Sequence, residues 1–323
     1  MNNIKTFENF NKQDIFTYIL NNDVKSVKNY IDSGYDLNIQ DDDDYTPLIY
    51  SVHYNKIEIV KLLLNAGANT NKQDNNGDAA LIKATINDNI EIVKLLLNFD
   101  IDIDKVDKYG NTALICAAFY KNIEIVKLLL NAGADIDKKN DYGNTSLLYS
   151  VINGNIEIVK LLLNYGADID KPDNQDYTAL ILAVQYNNNE IVKLLLDYNA
   201  DINKQDNNGN TALILTAKHN KIEIVKRLLN DGVDIDKQNY VGNTALIIAA
   251  YNNFREIIEL LLDYGADEFI LNGDNKSFYD CLNDENKQYF TQKYPTSVYN
   301  AISHNYKKSF IEFVKDYNIK ITN

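Results

Sequence analysis

The chain has 323 residues, a hydrophobic fraction of 45%, a charged fraction of 24%, three Pro and 13 Gly. That balance fits about two globular domains or one elongated array and excludes a long disordered or low-complexity protein. The formal net charge of −14, from 46 acidic against 32 basic side chains, opposes both broad nucleic-acid binding, which needs clustered Lys and Arg, and docking on anionic membranes.

The first predicted elements lie in residues 1–43. Met1 to Asn11 has no basic segment followed by an apolar one, so no signal peptide is visible. Asp14 to Gly34 reads as a degenerate helix pair, with Val24, Val27, Tyr30 and Ile31 at helical spacing. It is assigned as an N-terminal capping segment, because the end of an array needs a polar outer face. Asp41 to Asp44 suit a hairpin tip in water.

Residues 44–276 hold seven copies of a 33-residue unit without an insertion. Glu-Ile-Val-Lys-Leu-Leu-Leu begins at Glu58, Glu91, Glu124, Glu157 and Glu190, and recurs in altered form at Glu223 and Glu256. A second string starts at Thr46, Ala79, Thr112, Thr145, Thr178, Thr211 and Thr244. Each copy reads as two short helices and a turn-rich connection. The Thr caps the first helix, and Pro47 suits its first position. The second helix is apolar on nearly all sides and must be buried between neighbouring copies.

Three slots per copy are expected to need a left-handed backbone, which Gly, and less easily Asn or Asp, tolerate. The end of helix 2 falls at Gly34, Gly67, Asp100, Gly133, Gly166, Asn199, Gly232 and Gly265. The tips hold Asp44, Gly77, Gly110, Gly143, Asp176, Gly209 and Gly242. Helix 1 ends at Asn55, Asp88, Lys121, Gly154, Asn187, Asn220 and Asn253, with Lys121 the exception in residue type.

Residues 277–323 form a degenerate repeat and a capping helical segment. Phe278 and Tyr279 replace small residues there. Val298, Ile302, Phe310, Phe313, Val314 and Tyr317 keep helical spacing.

The period, Thr-Ala/Pro-Leu, Glu-Ile-Val-Lys-Leu-Leu-Leu and Gly-Ala-Asp-Ile-Asp together resemble the ankyrin repeat family over about Asp41 to Lys276. The resemblance implies an all-α solenoid of helix-turn-helix units with short β-hairpin turns. One departure is systematic. The His that usually follows Thr-Pro-Leu is Ile49, Ile82, Ile115, Leu148, Ile181, Ile214 and Ile247, so apolar packing is expected in place of a polar network.

The search for chemistry is nearly empty. His53, His219 and His304 are the only histidines, and no nucleophile, phosphate-loop or zinc motif accompanies them. Cys116 and Cys281 read as reduced buried thiols. The Asp-Ile-Asp pairs recur periodically and are expected on a solvated edge. Asp100, Asp102 and Asp104 have the spacing of a calcium loop, but Lys105 and Asn111 occupy its sixth and twelfth positions. No catalytic residue, metal site or cofactor is assigned, and the chain is not expected to be an enzyme.

The resemblance places partner contacts on hairpin tips and at the exposed end of helix 1. Those positions are Tyr45, His53, Tyr54, Lys108, Tyr109, Phe119, Tyr120, Tyr142, Tyr177, Gln185, Tyr186, Lys218, His219, Tyr240 and Tyr251. Tyr dominates, and it offers large contact area at low entropic cost. The reading is a monomeric, cytoplasmic scaffold that binds a protein or peptide of basic character on a concave Tyr-rich face, with no nucleic-acid or membrane partner. An adaptor delivering a host protein to a ubiquitin-ligase complex through the C-terminal segment is the alternative; an enzyme confined to residues 277–323 is the other. Abundant Asn, Ile, Lys and Tyr, with AT-rich codons, resemble ankyrin arrays of large DNA viruses, and also those of some bacteria and amoebae; a viral source would place the protein in host cytoplasm.

Overall fold

The first helix of most repeats begins in one way. A Thr in extended backbone turns its hydroxyl oxygen onto the amide three residues ahead. Thr46 accepts from Ile49, Thr112 from Ile115, Thr145 from Leu148, Thr178 from Ile181, Thr211 from Ile214 and Thr244 from Ile247, at 3.2–3.4 Å. Each bond satisfies an N–H orphaned at a helix start. The donor residue is the Ile or Leu that stands where His was expected, and its side chain is only 1–2% exposed. The slot thus contributes packing. Ala79 is the one copy without this cap.

The computed structural model describes residues 14–295. They fall into two units, one ending at Asp168 and the other beginning at Ile169. The first unit holds α1 (Asp14–Leu20), α2 (Val24–Asp32), α3 (Pro47–His53), α4 (Ile57–Asn65), α5 (Ala80–Ile86), α6 (Ile90–Leu96), α7 (Ala113–Phe119), α8 (Ile123–Asn131), α9 (Ser146–Ile152) and α10 (Ile156–Asn164). Odd-numbered helices pack on one another in order, and even-numbered helices form a second layer. The second unit repeats the plan with α11 (Ala179–Gln185), α12 (Asn189–Asp197), α13 (Ala212–Lys218), α14 (Ile222–Asn230), α15 (Ala245–Tyr251) and α16 (Arg255–Asp263). It continues with a 3-10 turn at Tyr279–Cys281 and α17 (Asp284–Lys293).

Among the described residues no strand forms. The expected β-hairpins are tight turns with one isolated bridge, Gln73 to Ala79. Each turn is closed locally: in the third hairpin Asp107 N donates to Asn111 O at 2.9 Å and Gly110 N to Asp107 O at 3.1 Å. Successive tips are stitched by one backbone bond, as from Lys108 N to Asn76 O and from Asp141 N to Tyr109 O, both 3.0 Å. At Gly tips this approach leaves no room for a side chain, although Asp44 and Asp176 hold the same slot elsewhere. A Cβ on Gly110, at φ +77°, would lie 2.6 Å from Asp141 Oδ1.

Positive φ occurs at every slot expected to need it except Asp100. Lys121, at φ 64°, keeps the conformation despite its side chain. Asn22 and Asn275 share it, although neither was among the expected positions. At Asp100 the expectation fails because α6 stops at Leu96, two residues earlier than its counterparts. It closes with short bonds, Asn98 N to Leu95 O and Phe99 N to Leu96 O. Ile101 fills the place of a small buried Ala or Val, and Asp100 O instead accepts the Thr70 hydroxyl at 2.8 Å.

The Asp-Ile-Asp pairs do more than face water. The first Asp accepts from the amide two residues ahead, as Asp135 does from Asp137 N at 3.0 Å. The second accepts from the next repeat: Asp104 from Asp135 N, Asp137 from Asp168 N, Asp170 from Asp201 N and Asp236 from Asp267 N, at 2.8–3.0 Å. Asn38, Asn71 and Asn203 hold the same place and accept in the same way. Asp104, considered above as a calcium ligand, is therefore a structural brace.

In the N-terminal pair Val27 and Tyr30 are buried while Val24 is exposed. At the other end Phe278 is 1% exposed, so the first helix of that degenerate repeat is reduced to the 3-10 turn over a buried ring. Cys116 is buried, but Cys281 is only half-buried, and both thiols are free. The remaining assignments of the C-terminal segment, from Val298 through His304 to Tyr317, lie outside the described residues.

Candidate protein-binding surface

In the first unit, the last turn of α7 ends on Phe119 with Tyr120 as its cap, and the adjoining tips carry Lys108, Tyr109 and Tyr142. Four of these rings stand well out of the surface: Tyr109 is 48% exposed, Phe119 47%, Tyr120 49% and Tyr142 60%. They border a groove of about 480 Å³ whose floor includes Asp78, Asp107, Asn111, Cys116 and Tyr149. Phe119 meets Tyr120 and Tyr149 edge-on, with centroids 5.1 and 5.5 Å apart. The groove thus gathers five of the positions expected to face a partner. Sequence reasoning missed Tyr149, whose hydroxyl accepts from Asn140 Nδ2 at 3.0 Å and is thereby held in place.

Tyr45, His53 and Tyr54 form a second aromatic cluster with Tyr50 in the same unit. Tyr45 is half-buried, and Tyr50, also unforeseen, has its phenol pushed up to about 12 by burial and by Tyr54. In the second unit Lys218 and Tyr240 line a groove of about 370 Å³ with Asn208 and Val241. Gln185, Tyr186, His219 and Tyr251 are exposed outside it, and Tyr177 is half-buried. Burial, then Lys218 and Lys221, hold the His219 imidazole below its ordinary range. Exposure alone does not mark a contact: Tyr165 and Tyr264 at the ends of α10 and α16 use their hydroxyls to brace Asn131 and Asn230.

The chemistry least visible in the sequence adjoins the first groove through Asp78. Lys83, 7% exposed, places its ammonium 2.8 Å from Asp74 Oδ2 and 2.7 Å from Asp78 Oδ2. It also lies 5.3 Å from the Tyr45 ring centre. Burial opposes its charge, yet the two carboxylates hold it above the usual lysine range. Asp78 is pushed up, first by burial and then by Asp74 and Asp107, against the pull of Lys83. One ammonium shared by two carboxylates leaves a net charge of about −1, and Asp107 adds another. Burial raises the Cys116 thiol, and the fields of Asp107 and Asp78 raise it further. The groove floor is electronegative. The signal was present in the sequence: Lys83 stands where other copies have Tyr, Cys, Leu or Ile, and Asp78 where they have Asn or Tyr.

Among the described residues no group of three His, Cys, Asp or Glu side chains is arranged to hold a metal ion. None of the described helices is long and apolar enough to cross a membrane. No match was found among curated proteins. The family model described as ankyrin repeats in three copies matches residues 15–107, 58–140, 132–206 and 180–272. These matches overlap into one stretch over most of the chain, and with the capped helix pairs and stitched tips they show that the chain belongs to the ankyrin repeat family.

Proposed function

We propose that this protein is a non-enzymatic scaffold whose first unit binds a protein or peptide on the face built from first helices and hairpin tips. Ankyrin repeats mark protein–protein interaction scaffolds. The finer assignment rests on one observation: Tyr109, Phe119, Tyr120 and Tyr142 stand exposed around a single groove. Clustered aromatic anchors carry most of the energy at protein interfaces. The overall charge of −14 favours a basic partner and speeds its encounter. The two unbridged thiols support a reducing compartment, which agrees with a cytoplasmic location.

The test compares two triple variants in affinity capture followed by mass spectrometry. Changing Tyr109, Phe119 and Tyr120 to Ala is expected to abolish capture while leaving the thermal melt intact, since these side chains are about half exposed. Changing Glu124, Lys127 and Asn131 on α8 to Ala is expected to leave capture unchanged. The reverse pattern would place the partner on the layer of second helices.

A further inference from the structure

Adjacent hairpins in this fold are bridged by a recurrent amide. Asn140 Nδ2 donates to Asn111 Oδ1 at 2.8 Å, Asn239 to Asn210 at 2.9 Å and Asn272 to Asn243 at 3.0 Å. The same register places Asp107 against Asp78. Two ionised carboxylates have only acceptors and cannot bridge one another. Where those three pairs gain a hydrogen bond, this pair sets like charges side by side, and both line the aromatic groove.

Asp107 already serves its own turn. Its Oδ1 accepts from Tyr109 N and Asn111 N, both at 2.8 Å, and its Oδ2 accepts from Asn111 Nδ2 at 2.9 Å. Asn140 does the same turn work, accepting from Tyr142 N at 3.1 Å and Asn144 N at 2.9 Å. The negative charge at 107 is therefore not needed to build the hairpin. The groove wall already attracts a cation: Lys108 Nζ lies 5.1 Å from the Tyr109 ring centre, tethered to Asn76 Oδ1 at 2.8 Å.

Resting on the scaffold reading above, we propose that this groove is a receptor for an arginine side chain of a partner protein. The guanidinium would enter between the rings of Tyr109, Phe119 and Tyr142 and bridge Asp78 and Asp107. Arginine suits the place better than lysine. Its flat cation stacks on aromatic faces, is weakly hydrated and presents several N–H donors to two carboxylates at once. The groove, about 480 Å³, also leaves room for residues flanking that side chain.

The experiment is selection of a random peptide display library against the full chain, followed by binding titrations of synthetic peptides. Peptides whose capture is lost in Phe119→Ala are expected to share an arginine. Replacing that arginine by citrulline, its neutral isostere, is expected to weaken binding at least tenfold, as is Asp107→Asn in the protein. Asp107→Asn should melt close to the wild-type temperature, because the bond its amide gains to Asp78, as Asn140 reaches Asn111, offsets the one that Asn111 Nδ2 loses; loss of binding without a matching loss of stability then reads the charge. Lys108→Gln, which removes a competing cation, is expected to tighten binding. Phe119-dependent peptides that bind equally well with citrulline, or with lysine, would overturn the arginine receptor while the scaffold surface stands. If no selected peptide depends on Phe119, the surface itself is misassigned and both readings fall.

Discussion

Replacing Lys83 by Leu offers the sharpest test of how the first unit is held together. Leu is the residue at the same slot in two other copies, Leu182 and Leu215, so the helix itself should accept it. The loss is electrostatic: Asp74 and Asp78 side chains are 0% and 7% exposed and would both lose their cation. Removing one partner of a buried ion pair costs about 3–5 kcal/mol, because an uncompensated charge stays behind. The triple variant Asp74→Asn, Asp78→Asn, Lys83→Leu gives a neutral pattern close to that of Asn239, Asn243 and Ile248. It should regain all of that loss and can exceed the wild type, since buried ion pairs rarely outperform neutral packing.

Urea melts followed by helical circular dichroism are the assay, the chain having no Trp. The pH dependence supplies an independent reading. Lys83 is held above its ordinary value, so its contribution is whole below that value and fades as pH rises through the raised one. Asp78 is also raised, so the folded chain binds that proton more tightly, and stability is gained as pH falls from the raised value towards the ordinary carboxylate range. In the single variant Asp78 loses its cation and rises further, so mild acid should recover part of the loss. An unchanged midpoint for Lys83→Leu, or a triple variant as weak as the single one, would refute this account.

Ala79 shares the backbone of the capping Thr residues, φ −78° and ψ 169°, but offers no oxygen to the helix start; Ala79→Thr should add about 1 kcal/mol, read as a higher urea midpoint. Asp137→Asn should be nearly neutral, because Asn71 and Asn203 make the same bond, whereas Asp137→Ala should lose about 1 kcal/mol with the bond to Asp168 N; paired melts would separate acceptor from charge. Gly133→Val, at φ +87° with no atom within 4 Å of the added Cβ, should cost about 1–2 kcal/mol from backbone strain alone; a much larger loss in the same melts would reveal a clash.

Backbone demands were legible because each repeat poses the same geometric problem and the chain answers it in a restricted alphabet. Asn55, Asp88, Gly154 and even Lys121 occupy one slot and share one conformation. Asp100 escaped because residue type alone does not force a left-handed turn. The turn needs a helix that reaches it, and α6 ends early beside Phe99 and Ile101. The exposed rings of the groove were legible for a related reason. They vary where the register is otherwise fixed, on slots whose side chains the fold leaves outside.

The electronegative floor was harder to read, since its parts lie on different repeats. Asp78 and Lys83 each depart from their slot, but neither departure alone shows a charged floor, and Asp107 repeats a common slot. Their meaning depends on which slots face one another, and that is a property of stacking rather than of spacing. Stability and recognition then make opposite demands on them. Asp78 needs Lys83 to be tolerated in the core, but Lys83 also serves Asp74, so one negative charge is left over and Asp107 adds to it. An amide at 107 would relieve the repulsion and keep the two backbone bonds of the turn, as Asn140 does, giving up only the bond from Asn111 Nδ2. The carboxylate there works against the folded state and in favour of an incoming cation, the trade expected where a binding site is paid for in stability.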